Sequence, residues 1–194
     1  MNIPHLRFNS DKRGVTAIEF GMLAIPFLMM LVGILDLAHF GWIRATASGE
    51  LNRLARSSTV ENGDWTAAQN ILIAQVKRIH PQATVNVTSK SFPQYSRINA
   101  AEKLIEDKGA TGYHVGEGDC FEDLNNDSIR NNVAGANGIG GADDVVLMTA
   151  DISFPRLFPA ARMFGMSPIQ TLTVTESFRR QPYDNQVPPR IRCL

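Results

Sequence analysis

The chain has little of what most catalytic or nucleic-acid-binding domains display. Only two cysteines occur in 194 residues, which excludes a disulfide-dense mini-scaffold and a thiolate-rich zinc module. The 19 basic residues balance the 19 acidic ones, so no overall positive field exists to hold a phosphate backbone, and nucleic acid is not an expected partner. Histidines number four. His5 and His39 fall near or within the N-terminal apolar stretch, His80 precedes a proline, and His114 stands in a glycine-rich segment. None is placed beside a nucleophile. No serine stands in a Gly-x-Ser-x-Gly elbow. Gly135–Gly141 is glycine-rich, yet lacks the lysine and strand-to-helix setting of a phosphate loop and reads as a flexible turn. The expectation is a protein that is not an enzyme.

What is present is concentrated at the N-terminus. Residues 1–11 are short, polar and contain Pro4, and Arg7, Lys12 and Arg13 outnumber Asp11. Phe20 to Leu35 then carries no charge, and Val15–Ile43 is apolar apart from Glu19, Asp36, His39 and small residues. As a helix this stretch reaches about 43 Å, enough to cross a bilayer. The preceding basic residues put the N-terminus in the cytoplasm and the rest across the membrane. A cleaved secretory signal would have a shorter apolar core and a small-x-small site. Here helical character continues beyond the span, with Ile43, Ala47, Leu51, Leu54 and Ala55 on one stripe, so an anchor that stays in the chain is the better reading. Pro26 lies inside the span and removes one backbone hydrogen bond. Gly21, Ala24 and Gly33 offer small surfaces for helix packing without a strict GxxxG. Asp36 and His39, three apart, fall on one side near the outer interface, where they pair with each other or sit among headgroups.

Glu19 is the anomaly. A carboxylate in hydrocarbon costs about 3 kcal/mol on insertion scales, so it needs a partner or a function. The run Arg13-Gly14-Val15-Thr16-Ala17-Ile18-Glu19-Phe20, with its apolar continuation, resembles the processing site of type IV pilin-like proteins, and most closely the TadE family of minor pseudopilins from tight-adherence (Flp) pilus systems. The resemblance implies that a prepilin peptidase cuts between Gly14 and Val15, leaving Glu19 as the fifth mature residue with Phe20 after it. It extends through Pro26, Leu35-Asp36 and Leu51-Asn52-Arg53-Leu54-Ala55-Arg56, covering residues 13 to about 58. A looser likeness runs through Asp144-Val145-Val146, Phe154–Pro159 and Leu172–Arg180. The implied partners are the peptidase, other pilus or pseudopilin subunits, an inner-membrane assembly platform and membrane lipid. The implied location is the bacterial inner membrane, single-pass, with the C-terminal domain periplasmic or extracytoplasmic, or within the pilus itself. A type II secretion pseudopilin or type IV minor pilin shares much of the motif. The reading from another class is an unprocessed single-pass protein whose exported domain binds a ligand or calcium.

This divides the chain into a leader (1–14), a transmembrane helix (15–43), an exported helix extension (44–60) and an exported α+β domain (61–194). In the last, Asp64 is the expected N-cap for an amphipathic helix carrying Trp65, Ala68, Leu72, Gln75, Val76 and Ile79, stopped by Pro81. Thr84–Ser89, Val145–Ser153 and Ile169–Phe178 read as strands, favouring an antiparallel sheet with helices on one face. Residues 98–108 read as a short helix ended by Gly109, residues 109–144 as loop, Phe154–Met166 as an irregular or briefly helical apolar connection, and Arg180–Leu194 as an irregular tail. Cys120 and Cys193 both follow the span, where an oxidising compartment favours a disulfide; one buried and one free thiol is the alternative. Asp123, Asn125 and Asp127 place oxygens at alternate positions as a calcium loop does. Against that, Ser128 replaces the turn glycine and Ala134 the closing glutamate, and Asp143 and Asp144 would have to return as distant ligands. The plain reading is a solvated loop rich in Asx turns.

Overall fold

The computed structural model describes residues 14–59, 65–106, 119–133, 135–158, 162 and 165–193. The leader with Lys12 and Arg13, the proposed cap Asp64, the stop Gly109 and His114 lie outside the described residues. The chain divides into two units, Met1–Gly41 and Trp42–Leu194, with the division inside one helix, α1 (Val15–Ser57).

In the first unit α1 passes through Pro26 as continuous helix, and none of its most apolar 18-residue window is buried. In the second unit the same helix buries Ile43, Ala47, Leu51, Leu54 and Ala55, the stripe expected from helical spacing. Its last carbonyls are not left bare. The Ser58 N–H and hydroxyl both donate to the Leu54 carbonyl, and the Thr59 hydroxyl donates to that of Arg56.

Helix α2 (Trp65–Ile79) buries Leu72 and Val76, carries Lys77 and Arg78 in its last turn and ends before Pro81. The Gln69 side-chain amide reaches the Val87 carbonyl of strand β1 (Thr84–Phe92) at 3.3 Å. Three further strands complete an antiparallel sheet: β4 (Ala136–Asn137), β5 (Val145–Pro155) and β6 (Ile169–Arg179), in the order β4-β1-β5-β6. Central β5 sends Val146, Met148, Ala150, Ile152 and Phe154 inward, while Asp151 on the other face accepts a hydrogen bond from the Thr173 hydroxyl directly across.

Strand pairing corrects three expectations. Strands β2 (Leu104–Glu106), β3 (Cys120–Asp123) and β7 (Arg190–Cys193) form an antiparallel sheet in the order β2-β3-β7. The segment expected as a helix over 98–108 instead follows a 3₁₀ turn (Tyr95–Arg97), bends at Asn99 with φ 58°, and becomes β2. The segment expected as loop contributes β3 and β4, and the tail expected as irregular supplies β7. The physical reason is tertiary pairing: short segments with weak local preference gain hydrogen bonds that no local pattern reveals.

Candidate functional site

The N-terminal turn of α1 presents the stretch from Gly14 to Phe20 at the surface. Gly14 precedes the first helical residue, Val15, and a Cβ at Gly14 would meet nothing within 4 Å. Val15 and Glu19 are four apart on the helix and therefore share a face. Glu19 is exposed, as are Ile18, Phe20, Met22 and Leu23, the last three each more than 70%. Exposure of so much apolar side chain is not a stable state in water, at about 25 cal/mol per Å². The segment calls for a nonpolar surrounding, and Glu19 is its first charge. Gly14, Val15, Glu19 and Phe20 thus lie together, in register, on one exposed helix end.

The other sequence-predicted residues gather in the second unit, where the β2-β3-β7 sheet fixes them. Cys120 and Cys193 stand directly opposite in the β3–β7 register and are joined by a disulfide. It ties β7 to the middle of the chain across 73 residues. Asp123 ends β3 with its side chain buried. Its Oδ1 accepts the N–H of Asp127 at 3.2 Å, and its Oδ2 accepts the N–H of Ser128 at 3.1 Å and the Arg192 Nε–H at 3.3 Å. Asn125 Oδ1 also accepts the Asp127 N–H, while its Nδ2 donates to Asp127 Oδ2 at 2.8 Å. Asp127 further accepts the Ile129 N–H and the Asn131 amide. The Asn131 amide, then the Ile129 N–H, hold the Asp127 carboxyl below its ordinary value. Asn126 and Ser128 take left-handed φ near 61° and 65°, as tight Asx-type turns require. Among the described residues no cluster of three or more His, Cys, Asp or Glu is gathered for a metal. The distant carboxylates are occupied too. Asp143 Oδ2 pairs with Arg179 at 2.7 Å, and Asp144 accepts the Gly141 N–H and the Gln186 amide.

The organiser of this loop is Glu102, whose role has no local signature in the sequence. Glu102 is fully buried, and its two carboxylate oxygens accept the N–H groups of Leu124 and Asn131 at 2.8 Å each. Its own N–H donates to the Asn131 carbonyl, and its carbonyl accepts from Arg130 Nε. The only signal in the sequence was negative: Glu102 sits in a segment of good helix formers with no apolar stripe to bury. Arg180, the second of the paired arginines, is also buried, donating to the Gly140 carbonyl at 2.6 Å and stacking 5.2 Å from the Tyr183 ring centre.

Residues 14–49 match the family of TadE-like proteins. The match opens at Gly14, includes Glu19 and the whole exposed apolar stretch, and ends within the buried stripe of α1. No curated protein matches the chain, and no solved structure does.

Proposed function

We propose that this chain is a non-catalytic, pseudopilin-like component of a tight-adherence pilus machine, held in the inner membrane by α1 and processed at Gly14–Val15 by a prepilin peptidase. The observation that carries the reading is the register of Gly14, Glu19 and the exposed apolar helix inside the TadE-like match. Processing would create an ammonium on Val15 one helical turn from Glu19. A carboxylate that is costly in hydrocarbon then gains a compensating cation in its own chain or a neighbour's, so assembly becomes conditional on the cut. The second unit would stand on the far side of the membrane, where an oxidising compartment suits the Cys120–Cys193 bridge, and would present the two sheets to other subunits or to the assembly platform.

Intact mass of the membrane-extracted protein, from cells with and without the peptidase, tests this directly. The expected difference is the mass of residues 1–14. An identical mass in both would leave an unprocessed anchor and sink the pseudopilin reading.

A further inference from the structure

Strand β6 lies at an edge of the four-stranded sheet and carries none of the devices that usually block one. It runs for 11 residues and pairs with β5 in unbroken register from Ile169 to Arg179, without a bulge. Ile169–Arg179 contains no proline, glycine or lysine. Its hydrogen-bonding parity is fixed at both ends. The Arg180 N–H donates to the Asp144 carbonyl and the Arg156 N–H to the Pro168 carbonyl, so the even-numbered residues of β6 turn their backbone groups to β5. The odd-numbered residues turn theirs outward. Ser167 Oγ accepts the Ile169 N–H. At Thr171, Thr173, Thr175 and Ser177, all exposed, the outward N–H and C=O groups meet no partner among the described residues. The sheet's other edge differs. There β4 pairs with Lys90 and Ser91 of β1, the Gly138 N–H covers the Ser89 carbonyl, and the Gln69 amide covers that of Val87.

A row of outward N–H and C=O groups at strand spacing is matched in full by another extended strand. The sequence of β6 points to which one. An antiparallel copy of β6 overlaps it over its whole length in one symmetric register, that centred on Val174. In it Thr173 lies opposite Thr175 of the second copy and Thr171 opposite Ser177, hydroxyl pairs of the kind that favour cross-strand contact. Their backbone groups form about eight hydrogen bonds. The same register keeps charge apart. Glu176 meets Leu172, and the two Glu176 positions stand about 14 Å from each other. A register centred on Glu176 would set the carboxylates face to face. Arg179, the other charge in the strand, is already paired with Asp143 at 2.7 Å.

We infer that β6 is a homotypic docking edge, joining the four-stranded sheets of two copies of the chain by antiparallel β6–β6 pairing centred on Val174. The inference stands apart from the reading of α1 as a processed anchor, because it uses the second unit alone.

The test uses the full chain purified in detergent, with single cysteines introduced beside the intact Cys120–Cys193 bridge and a thiol crosslinker spanning less than about 10 Å, the reach of a cross-strand pair. Val174→Cys should crosslink to itself. Thr171→Cys and Ser177→Cys should each fail alone and crosslink when the two proteins are mixed. Thr175→Pro removes an outward N–H and no bond to β5, and Thr175→Lys brings two cations within about 8 Å of each other across the pair. Each should raise the dimer dissociation constant, read by sedimentation, by about tenfold or more while keeping the parent circular dichroism. Should Thr175→Pro alter that spectrum, Thr175→Lys decides alone. A monomer at all concentrations overturns the pairing. A dimer that does not crosslink at 174, or whose dissociation constant ignores Thr175→Lys, assigns association to another surface and overturns it too. Crosslinking of Val174→Cys in native membranes to a different polypeptide, with no product between copies, overturns it in favour of a partner's strand.

Discussion

Glu102 Oε1 accepts the backbone N–H of Leu124 at 2.8 Å from a position with no exposed surface. Its other oxygen takes the N–H of Asn131, so one buried side chain closes both ends of the loop between β3 and the turn that follows. A carboxylate with two charge-assisted acceptors is satisfied here; an amide is not. Glu102→Gln keeps an acceptor oxygen for one N–H donor but aims an NH₂ group at the other, leaving that N–H and the NH₂ unpaired at a cost of about 1–3 kcal/mol. The thermal midpoint of the detergent-solubilised protein should fall by several degrees, and hydrogen exchange at Leu124 and Asn131 should accelerate before the four-stranded sheet does. Unchanged exchange there would mean that the loop is held by its own turns.

That residue also marks where sequence reasoning stops. The stripe Ile43, Ala47, Leu51, Leu54 and Ala55 was legible because a helix face repeats locally, and each of those side chains is buried. Strands β1, β5 and β6 were legible for the same reason, with alternation over long runs. Glu102 was not, because its role depends on Leu124 and Asn131, more than twenty residues away. Strand β7 was hidden as well: four residues with two arginines after a proline pair have no apolar pattern. Only its pairing with β3 makes it a strand, with Cys193 opposite Cys120 and the Arg192 side chain ion-paired to Asp123.

The same pairing sets the effect of removing the bridge. Closing a loop across 73 residues restricts the unfolded chain by about 4 kcal/mol in the chain-entropy model. Beyond the bridge, β7 is held by its ladder to β3 and by Arg192, which reaches Asp123 at 3.3 Å and Asn126 at 3.2 Å, while Cys193 and Ile191 are exposed. Cys193→Ser should lower the urea midpoint and expose residues 187–194 to limited proteolysis, while circular dichroism retains the helical signal of α1. Loss of that helical signal as well would show that the two-sheet unit supports the whole fold.

Asp127 links the loop to pH and to cations. Its carboxyl is lowered chiefly by the Asn131 amide and the Ile129 N–H. A folded value below the unfolded one means the contribution is complete above the unfolded carboxylate range near pH 4 and is lost as pH falls through the folded value. Local opening at Ile129, followed by hydrogen exchange, should therefore rise below pH 4 and be flat above it. Asp127→Asn should flatten the profile. Because the oxygens of Asp123, Asn125 and Asp127 already accept seven backbone and side-chain hydrogen bonds that calcium would have to displace, millimolar calcium should leave both the exchange at Ile129 and the thermal midpoint unchanged. A calcium-dependent rise in the midpoint would show that the loop rearranges to bind the ion.

Glu19 carries the strongest functional consequence of the reading. It lies four residues after Val15 on an exposed helix face, within a stretch whose other side chains are apolar. If its role were only to be tolerated near the interface, removing it would lower the cost of burial and leave assembly intact. If it pairs with a newly made N-terminal ammonium, removal leaves that cation without its partner, and the loss appears after insertion. Glu19→Ala should then leave the protein in the membrane fraction, with its leader removed, but reduce surface pili. Glu19→Gln separates charge from shape: it keeps the volume and hydrogen-bonding capacity but not the anion, and should resemble Glu19→Ala. The measurements are immunoblots of membrane fractions, intact mass, and pili recovered by shearing. Normal pili in both variants would show that assembly does not depend on an ion pair at this position.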